Sequence, residues 1–245
     1  MSLKKRQRLD LAVAERGLAP SREKARALIL AGDVLVSGQV EVRASALVPA
    51  GAVIEIAKAA RFVSRGGEKL DHALNHFGID VRELTVLDAG ASTGGFTDCL
   101  LQRGAARVYA VDVGYGQMDA RLREESRVVV MERTHVRDLT SLPEKPDMAT
   151  VDVSFISLTQ VLGNITKLLS PKADIVALVK PQFEAGRGEV DRRGVVKDPR
   201  THATVIGRVA WWCVNNGLRV RGVCVSPLLG PAGNREFFLW LRKDS

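Results

Sequence analysis

The segment VLDAGASTGGFTDCLL, residues 86–101, constrains the fold of this chain more than any other. An apolar run ends in a single acid, Asp88, and Gly90, Ala91, Ser92, Gly94 and Gly95 follow before an amphipathic stretch begins. A backbone with so few side chains, set between a strand and a helix, turns sharply and lets a ligand or another backbone approach closely. The order of elements downstream says where such a loop belongs. Strands are predicted over 85–87, 108–111, 127–131, 148–151 and 175–179, and helices over 95–103, 157–169 and 199–215. This alternation predicts an α/β fold, a parallel sheet with helices on both faces, and puts the loop at the carboxyl end of its first strand. The segments LRVRGVCVSP and NREFFLWLRK are joined by a Gly/Pro turn without a helix, which predicts an antiparallel pair at one sheet edge.

Residues 1–57 read as a small α+β domain of their own. A helix is predicted over 9–16, stopped by Gly17, and a second, N-capped by Ser21, runs to Leu30 and stops at Gly32. Short strands are predicted at 34–36, 40–42 and 53–56. Arg22 and Arg26 lie one helical turn apart with Lys24 beside them, and Lys4, Lys5, Arg6 and Arg8 stand just upstream. By residue type alone this is either a solvated charged face or a surface for a polyanion. The balance of the whole chain leans to the second, since 36 Lys and Arg against 28 acids give a formal charge of +8. The stretches RLD at 8–10, SREKARALILAG at 21–32 and VLVSGQVEVR at 34–43 resemble the S-four-type RNA-binding domain that is appended to many RNA-modifying enzymes. That resemblance implies RNA contacts through Arg6, Arg8, Arg22, Lys24 and Arg26, because cations aligned on one face neutralise successive phosphates. Residues 58–63 read as a linker to a second domain over 64–245.

The glycine-rich loop lacks both the G-x-G-x-x-G of dinucleotide sites and the Gly-Lys-Ser/Thr of a phosphate loop. An acid at the strand end suits a ligand with a cationic amine, and S-adenosylmethionine is such a ligand. In this reading Asp88 lies near the amine, and Gly90, Ser92 and Gly94 leave space for the methionyl part. Thr93, Gly95 and Phe96 complete the cofactor loop. The other reading of Asp88 is a carboxylate placed at a helix N-terminus. Asp112, which ends the second strand in AVDVGYGQ, is placed for the ribose hydroxyls. Asp138 either reaches the adenine amine or is an ordinary loop acid.

Methyl transfer to a hydroxyl requires a proton to leave, so a base is expected. Asp152 ends the fourth strand in VDVSFISL and Lys180 the fifth in ALVKPQF, so both meet the same crevice. A lysine that closes an apolar strand is out of place as a surface charge, and partial burial beside a second cation lets a lysine act as a base. Lys69 in SRGGEKL and Glu236 in GNREFF read, one at a time, as an exposed helix residue and a strand-edge charge. In order, Lys69, Asp152, Lys180 and Glu236 resemble the K-D-K-E tetrad of FtsJ-like ribose 2′-O-methyltransferases, with SRGGEKL in place of that class's Ser-Arg-x-x-x-Lys-Leu. The resemblance implies a seven-stranded Rossmann-like methyltransferase sheet, mostly parallel with an antiparallel terminal strand. It also implies Lys180 as base or orienting group for the hydroxyl, Asp152 holding Lys180, and Lys69 and Glu236 completing a polar cage, with Arg65 a further RNA contact.

With DAGASTGGFTD, LVKPQFEAGR and GPAGNREF added, the chain resembles the TlyA (hemolysin A) family along essentially its whole length. This implies an S-adenosylmethionine-dependent 2′-O-methyltransferase of ribosomal RNA, free or in ribosomal subunits, with cytidine as acceptor and no stable protein partner. It implies too that the linker segment Arg61-Phe62-Val63 couples RNA docking to cofactor binding, with Phe62 where the family commonly has tryptophan.

The remaining features narrow the alternatives. Cys99, Cys213 and Cys224 have neither disulfide-framework nor metal spacing, which fits a reducing cytoplasm, and no metal site is expected from His72 and His76 without a third ligand. The basic N-terminus is interrupted by Asp10, Glu15 and Arg16, so it holds no signal-peptide core, and no apolar run of about 18 residues predicts a membrane span. Residues 184–200, with Arg187, Arg192, Arg193 and Lys197, form either a mobile loop that touches RNA or a plain solvated one. A membrane-active hemolysin and an RNA-binding protein without catalysis are the rival functions, and an intact glycine loop with all four tetrad positions favours the enzyme.

Overall fold

A computed structural model of the chain describes residues 6–30, 32–56, 61–186, 188–191, 193–230 and 232–243. Lys4, Lys5, Ala57, Arg187, Arg192 and residues 58–60 of the linker lie outside the described residues. The chain divides into two units, residues 1–61 and 62–245.

The first unit is built from β1 (Arg6–Arg8), α1 (Leu9–Glu15), α2 (Arg22–Leu30), β2 (Val34–Val36), β3 (Gln39–Val40), β4 (Leu47–Pro49) and β5 (Ile54–Ile56). β1 pairs antiparallel with β4, and β2 is flanked by β3 and β5. Its core is Leu9, Ala12 and Val13 of α1 packed on Ala25 and Ile29 of α2 and on Val34, Val48 and Ile54. Ser21 caps α2 by accepting from the Lys24 amide at 3.2 Å. The strand expected at 40–42 stops at Val40. The Glu41 carboxylate accepts from the Arg43 amide and guanidinium, the chain turns away, and Val42 is left exposed. β1 and β4 were not expected.

In the second unit come α3 (Arg65–Phe77), β6 (Thr85–Ala89), α4 (Gly95–Gln102), β7 (Arg107–Val111), α5 (Ala120–Arg123), β8 (Val128–Met131), β9 (Met148–Val151), α6 (Leu162–Leu168), β10 (Asp174–Val179), α7 (Pro181–Glu184), α8 (Pro199–Asn215), β11 (Leu218–Val225) and β12 (Phe237–Lys243). The sheet order is β11-β12-β10-β9-β6-β7-β8. β6 to β10 run parallel, while β12 pairs antiparallel with both β10 and β11. This is the seven-stranded α/β sheet with an antiparallel end that the sequence predicts. The helix expected over 157–169 is instead a 3-10 turn, Leu158–Gln160, followed by α6. Among the described residues no helix is long and apolar enough to cross a membrane.

Side-chain alternation along the strands divides the core in two. Leu87, Tyr109, Val111, Ala149, Val151, Ile175 and Leu239 pack on one face under α6 and α8. Val86, Val108, Ala110, Met148, Val176 and Phe238 pack on the other with Leu70, Leu74, Phe96 and Leu100 of α3 and α4. Asp88 follows Val86 by two and therefore points under α4, where it is fully buried. It accepts hydrogen bonds from the Thr97 hydroxyl of α4 at 2.7 Å and from the Thr150 hydroxyl, its register partner on β9, at 2.9 Å. Burial pushes the Asp88 carboxyl up to about 6, with the two hydroxyls pulling the other way and the Asp152 charge adding to the rise. An acid whose folded value is raised binds its proton more tightly in the native state, so its contribution to stability falls as pH rises from about 4 to about 6 and is lowest above that. An amide at the same place accepts from one threonine and donates to the other without charge. Asp88→Asn is therefore expected to raise stability at pH 7, by up to about 3 kcal/mol for a shift of roughly 2 units, and to lose that advantage near pH 4. Denaturant unfolding at the two pH values checks this, and a variant less stable than the parent at pH 7 contradicts it.

Candidate active site

The carboxyl ends of β6, β7 and β9 border a crevice made of two adjoining cavities. One is lined by Gly90, Ser92, Asp112, Gln117, His135, Asp152, Ser154 and Phe155, the other by Ser64, Arg65, Lys69, Thr93, Gly95, Phe96 and Leu229 together with Gly90, Ser92 and Asp152. Gly90 is what allows the loop to turn here. Its φ is +88°, and a Cβ would stand 2.5 Å from the Asp152 carbonyl oxygen, where β6 and β9 leave the sheet side by side. The Gly90 amide is held by the Val111 carbonyl at 2.8 Å and the Asp152 amide by the Ala89 carbonyl at 2.9 Å, so the loop is anchored to strands on both sides.

Asp112 stands at the end of β7 with both carboxylate oxygens accepting backbone hydrogen bonds, from Ser92 at 2.8 Å and Gly114 at 2.7 Å. Two amide donors fix the plane of the carboxylate and leave its remaining lone pairs toward the cavity, an arrangement suited to a vicinal diol. Thr93, Gly95 and Phe96 border the second cavity. Gly94 borders neither cavity; its φ is +96° and a Cβ there would stand 2.3 Å from Leu122 Cδ1, so the glycine makes room for that leucine.

Two acids expected at the ligand are elsewhere. Asp88 lies below the loop, buried between two threonine hydroxyls, and borders neither cavity. Asp138 closes a 3-10 turn after β8, with its side chain 71% exposed beside Arg137, while Thr134, His135 and Val136 of the same turn line the crevice. The His135 ring nitrogen Nδ1 accepts from the Arg137 amide at 3.1 Å, which caps that turn.

The four residues of the expected tetrad form two ion pairs. Lys69 in the second turn of α3 and Glu236 just before β12, both buried, meet at 2.5 Å. Neither is the surface charge that its local sequence allows. Gly230 creates the space for Glu236, since a Cβ there would be 2.5 Å from Glu236 Oε1. Lys180 ends β10, with its side chain 11% exposed, and its Nζ lies 2.6 Å from Asp152 Oδ1. Asp152 borders both cavities and Lys69 the second, so the pairs converge on one crevice.

Residues that sequence reasoning missed cluster after β9. The Lys180 ammonium donates to Ser154 Oγ at 2.8 Å. Phe155 adopts φ +63°, uncommon for a bulky residue, and is 90% exposed with its ring 5.0 Å from that of Phe183. An exposed aromatic held in a left-handed conformation beside charged groups is the one local signal here, and it is visible only in three dimensions. Among the described residues no group of three or more His, Cys, Asp or Glu is arranged to hold a metal.

In the first unit Arg6, Lys24 and Arg26 are exposed. Arg8 and Arg22, expected to be free for phosphate, are instead forked onto the fully buried Asp10 at 3.0 Å each, and hydrogen bonds from Arg8 first and Arg22 after it hold the Asp10 carboxyl down at about 2. Arg65 is exposed at the start of α3, with a guanidinium bond to the Leu229 carbonyl at 3.2 Å.

Comparison with known proteins places this geometry. The FtsJ-like methyltransferase family matches residues 62–243, and the S4 domain matches residues 7–54. The chain is 48% identical over 245 residues to the 16S/23S rRNA (cytidine-2'-O)-methyltransferase TlyA of Mycobacterium tuberculosis, a match that covers 98% of this chain and 91% of that protein. It is 40% identical to Hemolysin A of Brachyspira hyodysenteriae over 94% of this chain and 97% of that one. A solved structure of a candidate hemolysin from Streptococcus thermophilus superposes with a TM-score of 0.76 at 39% identity, covering 98% of this chain and 89% of the other. A glycine loop closing against β9, an acid after β7 held by two backbone amides, and two lysine–carboxylate pairs that each give a side chain to one crevice thus sit in a chain that belongs to the FtsJ-like methyltransferases, in the TlyA/hemolysin A branch that carries an S4 domain ahead of the methyltransferase one.

Proposed function

We propose that this chain is an S-adenosylmethionine-dependent methyltransferase that modifies a ribose 2′-hydroxyl of ribosomal RNA, with cytidine as the acceptor nucleoside. The observation that carries the reading is the Lys180–Asp152 pair, whose carboxylate borders the crevice that the glycine loop and Asp112 shape. A basic group held at a strand end by a carboxylate is required for an oxygen acceptor and superfluous for an amine with its own lone pair.

Asp112 would hold the ribose diol of the cofactor, and Gly90, Ser92, Thr93 and Gly95 would admit its methionyl part against bare backbone. When bound, S-adenosylmethionine would supply an electrophilic methyl carbon, its sulfur keeping the electron pair of the carbon–sulfur bond that breaks. Lys180 Nζ would take the proton that leaves the 2′-oxygen, and Asp152 would stabilise the resulting ammonium. Lys69 and Glu236, paired and buried, form a fixed polar wall beside the loop. Phe155 offers an open ring on which the acceptor base can stack, the usual way an unpaired nucleotide is held. Arg6, Lys24, Arg26 and Arg65 bind phosphates, while Arg8 and Arg22 present to RNA the N–H groups that Asp10 does not take. Three buried free thiols are in keeping with a reducing cytoplasm as the place of action.

Transfer of labelled methyl from S-adenosylmethionine to separated ribosomal subunits and to naked rRNA, followed by nucleoside analysis, tests the proposal. Recovery of 2′-O-methylcytidine is the expected result, and label in a base or in no RNA at all rejects it. Lys180→Ala is expected to lower kcat by about 10²–10⁴-fold with cofactor affinity nearly unchanged. Asp112→Ala should do the reverse, weakening cofactor binding in calorimetric titration far more than it slows turnover at saturation. Phe155→Ala is expected to raise KM for RNA in line with the loss of about 1–3 kcal/mol of base stacking, without changing cofactor affinity.

A further inference from the structure

Lys180 Nζ has two polar neighbours: it lies 2.6 Å from Asp152 Oδ1 as an ion pair and donates a hydrogen bond to Ser154 Oγ at 2.8 Å. The hydrogen bond to Ser154 is the one directional contact among them. From this geometry we infer that Ser154 is a positioning residue, whose hydroxyl, by accepting from Lys180 Nζ, fixes the orientation in which that nitrogen meets the 2′-hydroxyl. The inference rests on the reading of Lys180 as the group that takes the acceptor proton.

With Asp152 as its only partner, a lysine amine can still swing about that contact, and its lone pair sweeps a cone. A second partner at a fixed position removes the swing. In the amine form, which alone can accept a proton, one N–H bond is committed to Ser154 and the nitrogen stays beside Asp152, which narrows the directions open to the lone pair. Proton transfer is sensitive to that direction, since a misplacement of about 1 Å at a reacting group costs up to ~10²-fold in rate.

Ser154 is suited to this because the short segment that carries it is tied at both ends. Asp152 donates its amide to the Ala89 carbonyl at 2.9 Å on one side. On the other, the half-buried Glu184 carboxylate accepts from Ser157 Oγ at 2.6 Å and from the Leu158 amide at 2.7 Å. Glu184 belongs to α7, the short helix that begins immediately after Lys180, so the segment bearing Ser154 and the helix that follows Lys180 are clamped to each other. The Phe155–Phe183 ring contact makes a second tie between the same two segments. Ser154 is itself exposed and borders the cavity, so its oxygen is accessible from the side where the acceptor enters. Having accepted from Lys180, it keeps one hydrogen to donate to an oxygen of the acceptor nucleotide.

The test compares the full chain with Ser154→Ala, Ser154→Thr and Lys180→Ala in steady-state methylation of rRNA, with thermal melting as a control on folding. Ser154→Ala is expected to lower kcat by roughly 10–100-fold, with KM for RNA and cofactor affinity little changed, and Ser154→Thr, which restores the hydroxyl, is expected to recover most of the loss. If Lys180→Ala is inactive while Ser154→Ala turns over at the parent rate, the inference fails and the reading of Lys180 stands. A loss in Ser154→Ala that lies wholly in KM, or that threonine does not recover, also overturns it, because the serine would then be a simple binding contact. Normal turnover by Lys180→Ala removes the reading of Lys180 itself.

Discussion

The crevice depends on how closely the carboxyl ends of β6 and β9 approach each other. Gly90 and Asp152 leave the sheet side by side, with space for no Cβ between them. That contact sets the glycine loop and the segment after β9 at a fixed separation beside Asp152, which borders both cavities. Beneath it Asp88 ties the start of α4, through Thr97, to β9, through Thr150. A buried carboxylate is a costly way to join three elements. What it gives in return is direction: two short hydroxyl bonds hold the helix that opens from the glycine loop against the strand that delivers Asp152.

The same preference for geometry over stability shows in the two lysine–carboxylate pairs. Removing two opposite charges from water costs about as much as their attraction returns, so neither pair is a source of stability in itself. They differ in what they join. Lys69 on α3 meets Glu236 before β12, whereas Asp152 after β9 meets Lys180 after the neighbouring strand β10. The first pair links the start of the second unit to its last strand, so the crevice is complete only when that strand is in place.

Much of this was legible in the sequence, and the failures have physical causes. Alternating apolar runs and helices foretold the sheet, and the absence of a helix between β11 and β12 foretold its antiparallel end. The glycine loop was placed correctly because small residues between a strand and a helix have few other uses. Asp88 was misplaced although the signal was there: two residues after Val86, it had to face α4 and not the crevice. Asp138 could not have been placed, because the 3-10 turn that carries it exposes one side and gives His135 to the cavity. The loss of the first turn of the helix expected at 157 is likewise invisible locally, since the Glu184 carboxylate that captures Ser157 and Leu158 comes 26 residues later. Arg8 and Arg22 look like free cations in any window that does not show Asp10 buried between them.

The distribution of cations explains how a basic protein can favour a hydroxyl at its centre. RNA presents a phosphate at every step, and an unpaired lysine in the crevice would bind one before it met a 2′-oxygen. At this site both lysines are neutralised by a carboxylate within 2.6 Å, so the crevice offers a phosphate little attraction. Arg65, by contrast, has no carboxylate partner among the described residues and stands exposed at the edge of the second cavity. Phosphate affinity is thereby kept at the rim and removed from the floor. In the proposed reading a nucleotide would be held by its base on Phe155 and by its backbone outside, and the hydroxyl would be the group that meets Lys180. Pairing the lysines would then cost affinity for RNA as a polyanion and gain discrimination between the two kinds of oxygen on the same sugar–phosphate chain.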